Sequence, residues 1–221
     1  MIDAVIFDLD GTILDSMPMW NNFGRKYLKS LGIKARKGID DDLFTLTPEQ
    51  SAEYFISEYG VKKTVSEMLE EMKAISYGYY QNEVEIKAGI REFLQVLSEQ
   101  EIPLGVATVT NQASTRAGLT RNNLIQYFST IMTVDDVGIG KENPAVFLEA
   151  ARLLKADPQK SIVVEDALHA VKTAKSADFI TVGIYDEGNE SFQAELKNAC
   201  DLYLKDYSNP REIFELLTRL F

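Results

Sequence analysis

Six short apolar runs, rich in β-branched or aromatic residues, recur along this 221-residue chain with helical patterns between them, and that alternation restricts the fold more than any other feature. The runs are Ala4 to Phe7, Leu104 to Ala107, Thr130 to Thr133, Ser161 to Val164, Phe179 to Ile184 and a weaker one at Leu202 to Leu204. Short continuous apolar runs suit strands buried on both faces, as in a parallel sheet. Between them, Ile90, Phe93, Leu94 and Leu97 share one helical face, as do Val146, Phe147, Ala150, Ala151 and Leu154. Asn143-Pro144, and Asn209-Pro210 with Glu212 three residues after the Asn, are helix-start signals. The alternation predicts an α/β fold, a Rossmann-like parallel sheet with right-handed crossovers.

One connection is too long for a single crossover. The stretch from the first run to Leu104 reads, over its first two thirds, as helices without strands. Met17 to Leu31 carries Trp20, Phe23, Tyr27 and Leu31 on one stripe, with Ser16 as N-cap and Pro18 in the first turn. Thr47-Pro48-Glu49-Gln50 and Thr64-Val65-Ser66-Glu67 fit the capping box and open two more helices. Residues 16–84 therefore read as a helical domain inserted into a core formed by 1–15 and 85–221. Hinges are expected near Leu14 to Met17 and Ile86 to Gly89.

The first run ends in Asp8, Leu9, Asp10, Gly11 and Thr12. Carboxylates at i and i+2 on a continuing strand leave the same face, and two such charges call for a hard divalent cation, Mg²⁺ above all. Gly11 permits the tight turn. Ligands of an open parallel sheet gather at the carboxyl ends of its strands. Those ends carry Thr108 after the second run, Lys141 in the loop after the third and Glu165-Asp166 after the fourth. Singly, Thr108 reads equally as a strand residue, Lys141 as a solvated lysine and Glu165-Asp166 as a helix-start pair. Four strand ends supplied with metal- and phosphate-binding groups point together to phosphoryl transfer.

Composition narrows the partners. A formal charge of −11 argues against nucleic acid or an anionic membrane as the main partner. No run reaches transmembrane length, and acidic residues interrupt the apolar start, so no signal peptide is expected. The single cysteine, Cys200, forms no internal disulfide and fits a reducing cytoplasm.

The chain resembles the haloacid dehalogenase-like (HAD) hydrolase superfamily, in the branch with a helical cap after the first motif that includes phosphoglycolate phosphatase-like and β-phosphoglucomutase-like enzymes. FDLDGT matches the family's first motif, LGVAT its second, GIGKENP its third and VVED its fourth. The resemblance implies a Mg²⁺-dependent phosphatase acting on a small phosphorylated metabolite. Asp8 would be the nucleophile that forms an aspartyl-phosphate, and Asp10 the general acid and base. The metal would be held by Asp8, the Asp10 backbone carbonyl and Asp166, with Glu165 acting through a coordinated water. Thr108 and Lys141 would bind the phosphoryl oxygens.

The chain departs from the family pattern in four places. The third motif reads Lys141-Glu142-Asn143-Pro144 where K-P-x-P is usual, Ala167 and Ala170 replace a Ser and a Gly, and Asp178 stands at a helix-ending glycine. Mutase relatives carry a histidine at the position of Trp20 and a cap arginine, whereas Ile39 to Glu58 contains no arginine. Hydrolysis is therefore favoured over the alternative, a sugar-phosphate mutase of the β-phosphoglucomutase type. A receiver-like phospho-acceptor module is the non-enzymatic rival, opposed by an acidic pair on the first strand. Dehalogenase relatives lack the second aspartate. Trp20, Phe23, Tyr77, Tyr79 and Tyr80 line either the substrate pocket or the cap core. Thr110 and Asn111 either reach the site or cap the next helix, Lys34, Arg36 and Lys37 read as a solvated turn, and His169 as a surface helical residue.

Overall fold

The computed structural model describes residues 1–43 and 46–221. All six apolar runs become strands: β1 (Ala4–Phe7), β2 (Leu104–Thr108), β3 (Thr130–Thr133), β4 (Ser161–Glu165), β5 (Ile180–Ile184) and β6 (Leu202–Leu204). They form one parallel sheet in the order β3-β2-β1-β4-β5-β6. The chain moves outward from β1 to one side, then returns to β4 and moves outward to the other. That reversal opens a crevice at the carboxyl ends of β1 and β4, where an open α/β sheet binds ligands.

Side-chain alternation along β1 divides the core. Val5 and Phe7 face one layer with Phe93, Leu94 and Leu97, while Ile6 faces the other with Val146, Phe147, Ala150 and Val163. The helices that follow β1 are α1 (Met17–Trp20), α2 (Phe23–Ser30), α3 (Ile39–Leu43), α4 (Pro48–Tyr59) and α5 (Val65–Asn82). The remaining helices are α6 (Ile90–Glu99), α7 (Gln112–Arg121), α8 (Val134–Val137), α9 (Ala145–Leu154), α10 (Leu168–Ser176), α11 (Gln193–Ala199) and α12 (Pro210–Thr218). No helix among the described residues is long and apolar enough to cross a membrane.

The stretch from α2 to α5 packs its own apolar cluster, with Tyr27, Leu28, Ile39, Ala52, Phe55, Met68 and Met72 at its centre. Thr47 and Thr64 both close capping boxes, each hydroxyl accepting from the backbone N–H three residues on. The single helix expected over 17–31 is instead divided at Asn21–Asn22. Asn22 donates its side-chain amide to the Pro18 carbonyl at 2.9 Å, an asparagine competing with helix continuation. Ser16 makes no side-chain cap on α1. Asn143 accepts from the Ala145 N–H at 3.0 Å, so α9 begins one residue after Pro144.

The two segments that join this helical stretch to the sheet run side by side. Leu14 bridges Ile86, Asp15 N–H donates to Glu85 O at 3.0 Å, and Lys87 N–H donates to Ile13 O at 2.9 Å. Gly89 begins α6 with φ +80°, and a Cβ there would lie 2.4 Å from the Tyr207 carbonyl oxygen, so only glycine fits the approach.

Candidate active site

β2 and β4 each extend one residue beyond the apolar run, so Thr108 and Glu165 stand at strand ends beside Asp8. Asp8 itself still donates its N–H to Val164 O at 2.9 Å. Strand geometry stops there. Ile13 and Leu14 both donate N–H to Leu9 O, and Gly11, at φ +80°, donates to Leu14 O, which folds the chain into a tight turn. The carboxylates of Asp8 and Asp10 consequently point to different partners.

Asp8 lies in a buried ionic group. The Lys141 ammonium donates to Asp8 Oδ1 and, at 2.6 Å, to Glu165 Oε1, while it sits 5.4 Å from the Phe147 ring centroid. Glu165 Oε2 accepts from Ala167 N–H at 2.9 Å. Asp166 accepts from Thr12 Oγ1 at 3.4 Å and from the Asn189 amide at 2.5 Å. Asp8, Lys141, Glu165 and Asp166 are each 5% exposed or less.

Asp10 is bound by hydroxyls. Ser16 donates to Oδ1 and Thr110 to Oδ2, both at 2.6 Å, and Tyr80 also donates to Oδ1. Trp20 Nε1–H donates in turn to the Tyr80 oxygen at 2.9 Å. Thr108 is fully buried and accepts from Thr110 N–H at 3.0 Å. Asn111 caps α7 through Ser114 N–H at 3.0 Å. His169 is exposed on α10, Cys200 is half-buried beyond β5, and Lys34, Arg36 and Lys37 lie exposed, with Arg36 paired to Asp42 at 2.8 Å. Tyr77 is exposed, while Phe23 packs on Trp20 with ring centroids 5.2 Å apart.

Three buried carboxyl groups share one ammonium, and their acidities show the imbalance. Burial pushes the Asp8 carboxyl up to about 8, helped by Glu165 and Asp10 and opposed by Lys141. Burial, with Glu165 and Asp8 nearby, also holds Asp166 well above the usual carboxylate range. Burial alone would lower Lys141, but Asp8 and Glu165 outweigh it and keep the ammonium protonated. A hard cation suits this group: oxygen atoms of Asp8, Glu165 and Asp166 all lie within 4.8 Å of one another, and one more positive centre would balance their charge.

The family model for haloacid dehalogenase-like hydrolases matches residues 5–184. The chain belongs to that family. Among its relatives, a phosphorylated carbohydrates phosphatase of Thermotoga maritima is 31% identical over 80% of this chain and 82% of its own length. A validoxylamine A 7'-phosphate phosphatase of Streptomyces hygroscopicus subsp. limoneus is 28% identical over 96% of this chain and 97% of its own. In fold, this HAD-like hydrolase is similar to a β-phosphoglucomutase from Clostridium difficile, with a TM-score of 0.75 and 22% identity over 100% and 99% of the two chains.

Sequence reasoning did not give Ser16, Thr12 or Asn189 a place in this site, nor Tyr80 its bond to Asp10. Ser16 read as a helix cap, and Asn189 belongs to no motif and reaches Asp166 only because the segment after β5 folds back. Nothing in local periodicity carries such a contact. Thr110 was legible as one of two alternatives, and the structure takes the one that reaches Asp10.

Proposed function

We propose that this HAD-like hydrolase cleaves a small phosphate monoester through an aspartyl-phosphate intermediate. The reading is carried by the separation of the two aspartates: Asp8 sits among Lys141, Glu165 and Asp166, while Asp10 is held apart by three hydroxyls. Asp8 attacks phosphorus, and the phosphorus–oxygen bond to the leaving group breaks as Asp10 gives its proton to the departing alkoxide. Water then attacks the aspartyl-phosphate, Asp10 takes its proton, and phosphate leaves. Lys141 and the backbone beside Thr108 balance the charge that spreads over the phosphoryl oxygens.

Mg²⁺, held by Asp8, Asp166 and the Asp10 carbonyl, would keep Asp8 ionised and neutralise phosphoryl charge. Glu165, both of whose oxygens are already hydrogen-bonded, acts on it through water. Residues 16–84 serve as a cap that covers the crevice, joined to the core domain through the paired Leu14 and Ile86 segments. Trp20 stands where the mutase-like relatives place a histidine, and an indole N–H does not shuttle protons, which favours hydrolysis over mutase chemistry.

A panel of sugar phosphates, nucleotides and short acid phosphates, assayed for Mg²⁺-dependent phosphate release, tests the proposal. Asp8→Asn should abolish turnover while the protein stays folded. Undiminished release by that variant removes the nucleophile assignment, and phosphorus NMR showing glucose 6-phosphate accumulating from glucose 1-phosphate replaces hydrolysis with the mutase reading.

A further inference from the structure

Asp10 stands at the end of a chain of hydrogen bonds whose direction is fixed by chemistry. An indole Nε1–H only donates, so the Tyr80 oxygen accepts from Trp20, and with Asp10 ionised the phenolic hydrogen goes to its Oδ1, the nearer partner, with Thr110 Oγ1 3.4 Å away. The Tyr80 ring is fully buried and packs beside Trp20, with centroids 6.5 Å apart, and Tyr79, at 5.8 Å. Donors in series polarise one another, which strengthens the terminal bond. Thr110 fixes Asp10 from the loop after β2, whereas Ser16, Trp20 on α1 and Tyr80 on α5 all come from the inserted stretch.

We propose that Tyr80, oriented by Trp20, is a positioning residue that sets the Asp10 carboxyl for proton transfer and makes that setting depend on where the helical stretch sits. The proposal rests on the acid–base role given to Asp10 above. Tyr80 touches neither phosphorus nor the leaving oxygen. It removes the rotational freedom of a carboxyl that must first face the leaving alkoxide and then the attacking water. A misplacement of about 1 Å at such a group costs on the order of a hundredfold in rate.

Tyr80→Phe keeps the ring and deletes the hydroxyl. With an alkyl phosphate that the panel identifies as substrate, kcat should fall by roughly 10- to 100-fold while KM changes by less than about twofold, because uniform binding is untouched. With p-nitrophenyl phosphate, whose leaving group needs no proton, the first step survives and the second slows. The variant should then release nitrophenolate in a stoichiometric burst followed by a slow steady rate. Trp20→Phe should lower kcat in the same direction by a smaller factor, and adding it to Tyr80→Phe should cost nothing more, since Trp20 acts through Tyr80.

A readout free of turnover is available because the chain has one tryptophan. Its single indole ¹H–¹⁵N resonance should move in Tyr80→Phe at unchanged melting temperature. Tyr80→Phe with wild-type kcat, with equal losses in kcat and KM and no burst, or with an unmoved indole resonance overturns the proposal, as does an additive double variant. If Tyr80→Phe does not fold, Trp20→Phe alone decides by the same burst. Failure of the proposed function looks different: the wild type itself releases no phosphate.

Discussion

Replacing Lys141 with methionine removes the ammonium set among Asp8, Glu165 and Asp166 and keeps an unbranched side chain against Phe147. Deleting one partner of a buried pair costs about 3–5 kcal/mol, because the charge left behind stays out of water. Lys141 is 4% exposed and Glu165 1%, so solvent does little to screen the loss. Against a total stability of about 5–15 kcal/mol this is a large fraction.

Protons soften the effect in a direction that can be worked out. Asp8 is raised to about 8 from an ordinary 3.8, so between those values the folded protein holds a proton that the unfolded chain has lost, and stability falls as pH rises through that window. In Lys141→Met, Asp8 and Asp166 lose the ammonium that opposes their upward shift, and the folded variant holds up to about one more proton than the wild type. The gap between variant and wild type then widens by up to about 1.4 kcal/mol per pH unit. Urea unfolding without divalent cations should show a gap of about 4 kcal/mol near pH 8 and about 2 kcal/mol or less near pH 6. Magnesium chloride should return part of the loss, since a cation that binds only the folded state stabilises it by mass action. A gap under about 1 kcal/mol near pH 8, or one that is flat down to pH 6, refutes the charge imbalance inferred for this group.

Two further substitutions probe separate parts of the reasoning. Gly11→Ala places a Cβ 2.4 Å from Asp166 Oδ2 in a residue with φ +80°, so it should cost about 1–2 kcal/mol in backbone strain. It should also weaken Mg²⁺ binding by roughly 10- to 100-fold, read as a smaller Mg²⁺-induced rise in melting temperature; an unchanged rise counts against Asp166 as a ligand. At Asp201, burial opposes ionisation, but hydrogen bonds from Lys175 and Thr181 outweigh it and leave the carboxyl below its usual range. A lowered acid stabilises the fold above its unfolded-state value, and the contribution fades as pH falls through the folded one. Asp201→Asn should therefore destabilise by about 1 kcal/mol at neutral pH, after allowance for exposure, and by less below about pH 4. A difference that grows on acidification reverses that sign and the assignment with it.

The strands and most helix starts were legible because each depends on a local rule. Apolar runs of the right length locate β1 through β6 within a residue, and the Thr47 and Thr64 boxes need nothing beyond four consecutive residues. The grouping of Asp8, Lys141, Glu165 and Asp166 was legible for a different reason, since a parallel sheet sends every strand's carboxyl end to one edge. What failed was continuity. The i, i+2 rule would keep Asp8 and Asp10 on one face, yet the turn at Leu9 to Leu14 ends the strand at Asp8 and sends Asp10 to Ser16, Tyr80 and Thr110. Asn22 likewise breaks a stripe that periodicity carries through to Leu31, because a side-chain amide can satisfy a carbonyl that the next helical turn would otherwise occupy.

That broken strand has a chemical consequence. Two carboxyls on one face around a single cation would titrate as a pair, and neither would be free to exchange a proton independently. The turn gives Asp8 an ammonium and two further acids, an environment that suits a charged nucleophile once a cation is present. It gives Asp10 hydroxyl donors, which can bond a carboxylate or accept from its protonated form by rotating their own hydrogens. Ser16 and Thr110 have that freedom. Tyr80 has it as well: its oxygen accepts from Trp20 with one lone pair and lies 3.4 Å from Thr110 Oγ1, an alternative partner for its hydrogen. A protonated Asp10 therefore finds an acceptor on either side, Ser16 or Tyr80 beside Oδ1 and Thr110 beside Oδ2. The Trp20–Tyr80 pair holds the Asp10 carboxyl in one orientation, and so limits the direction from which a leaving group can receive its proton.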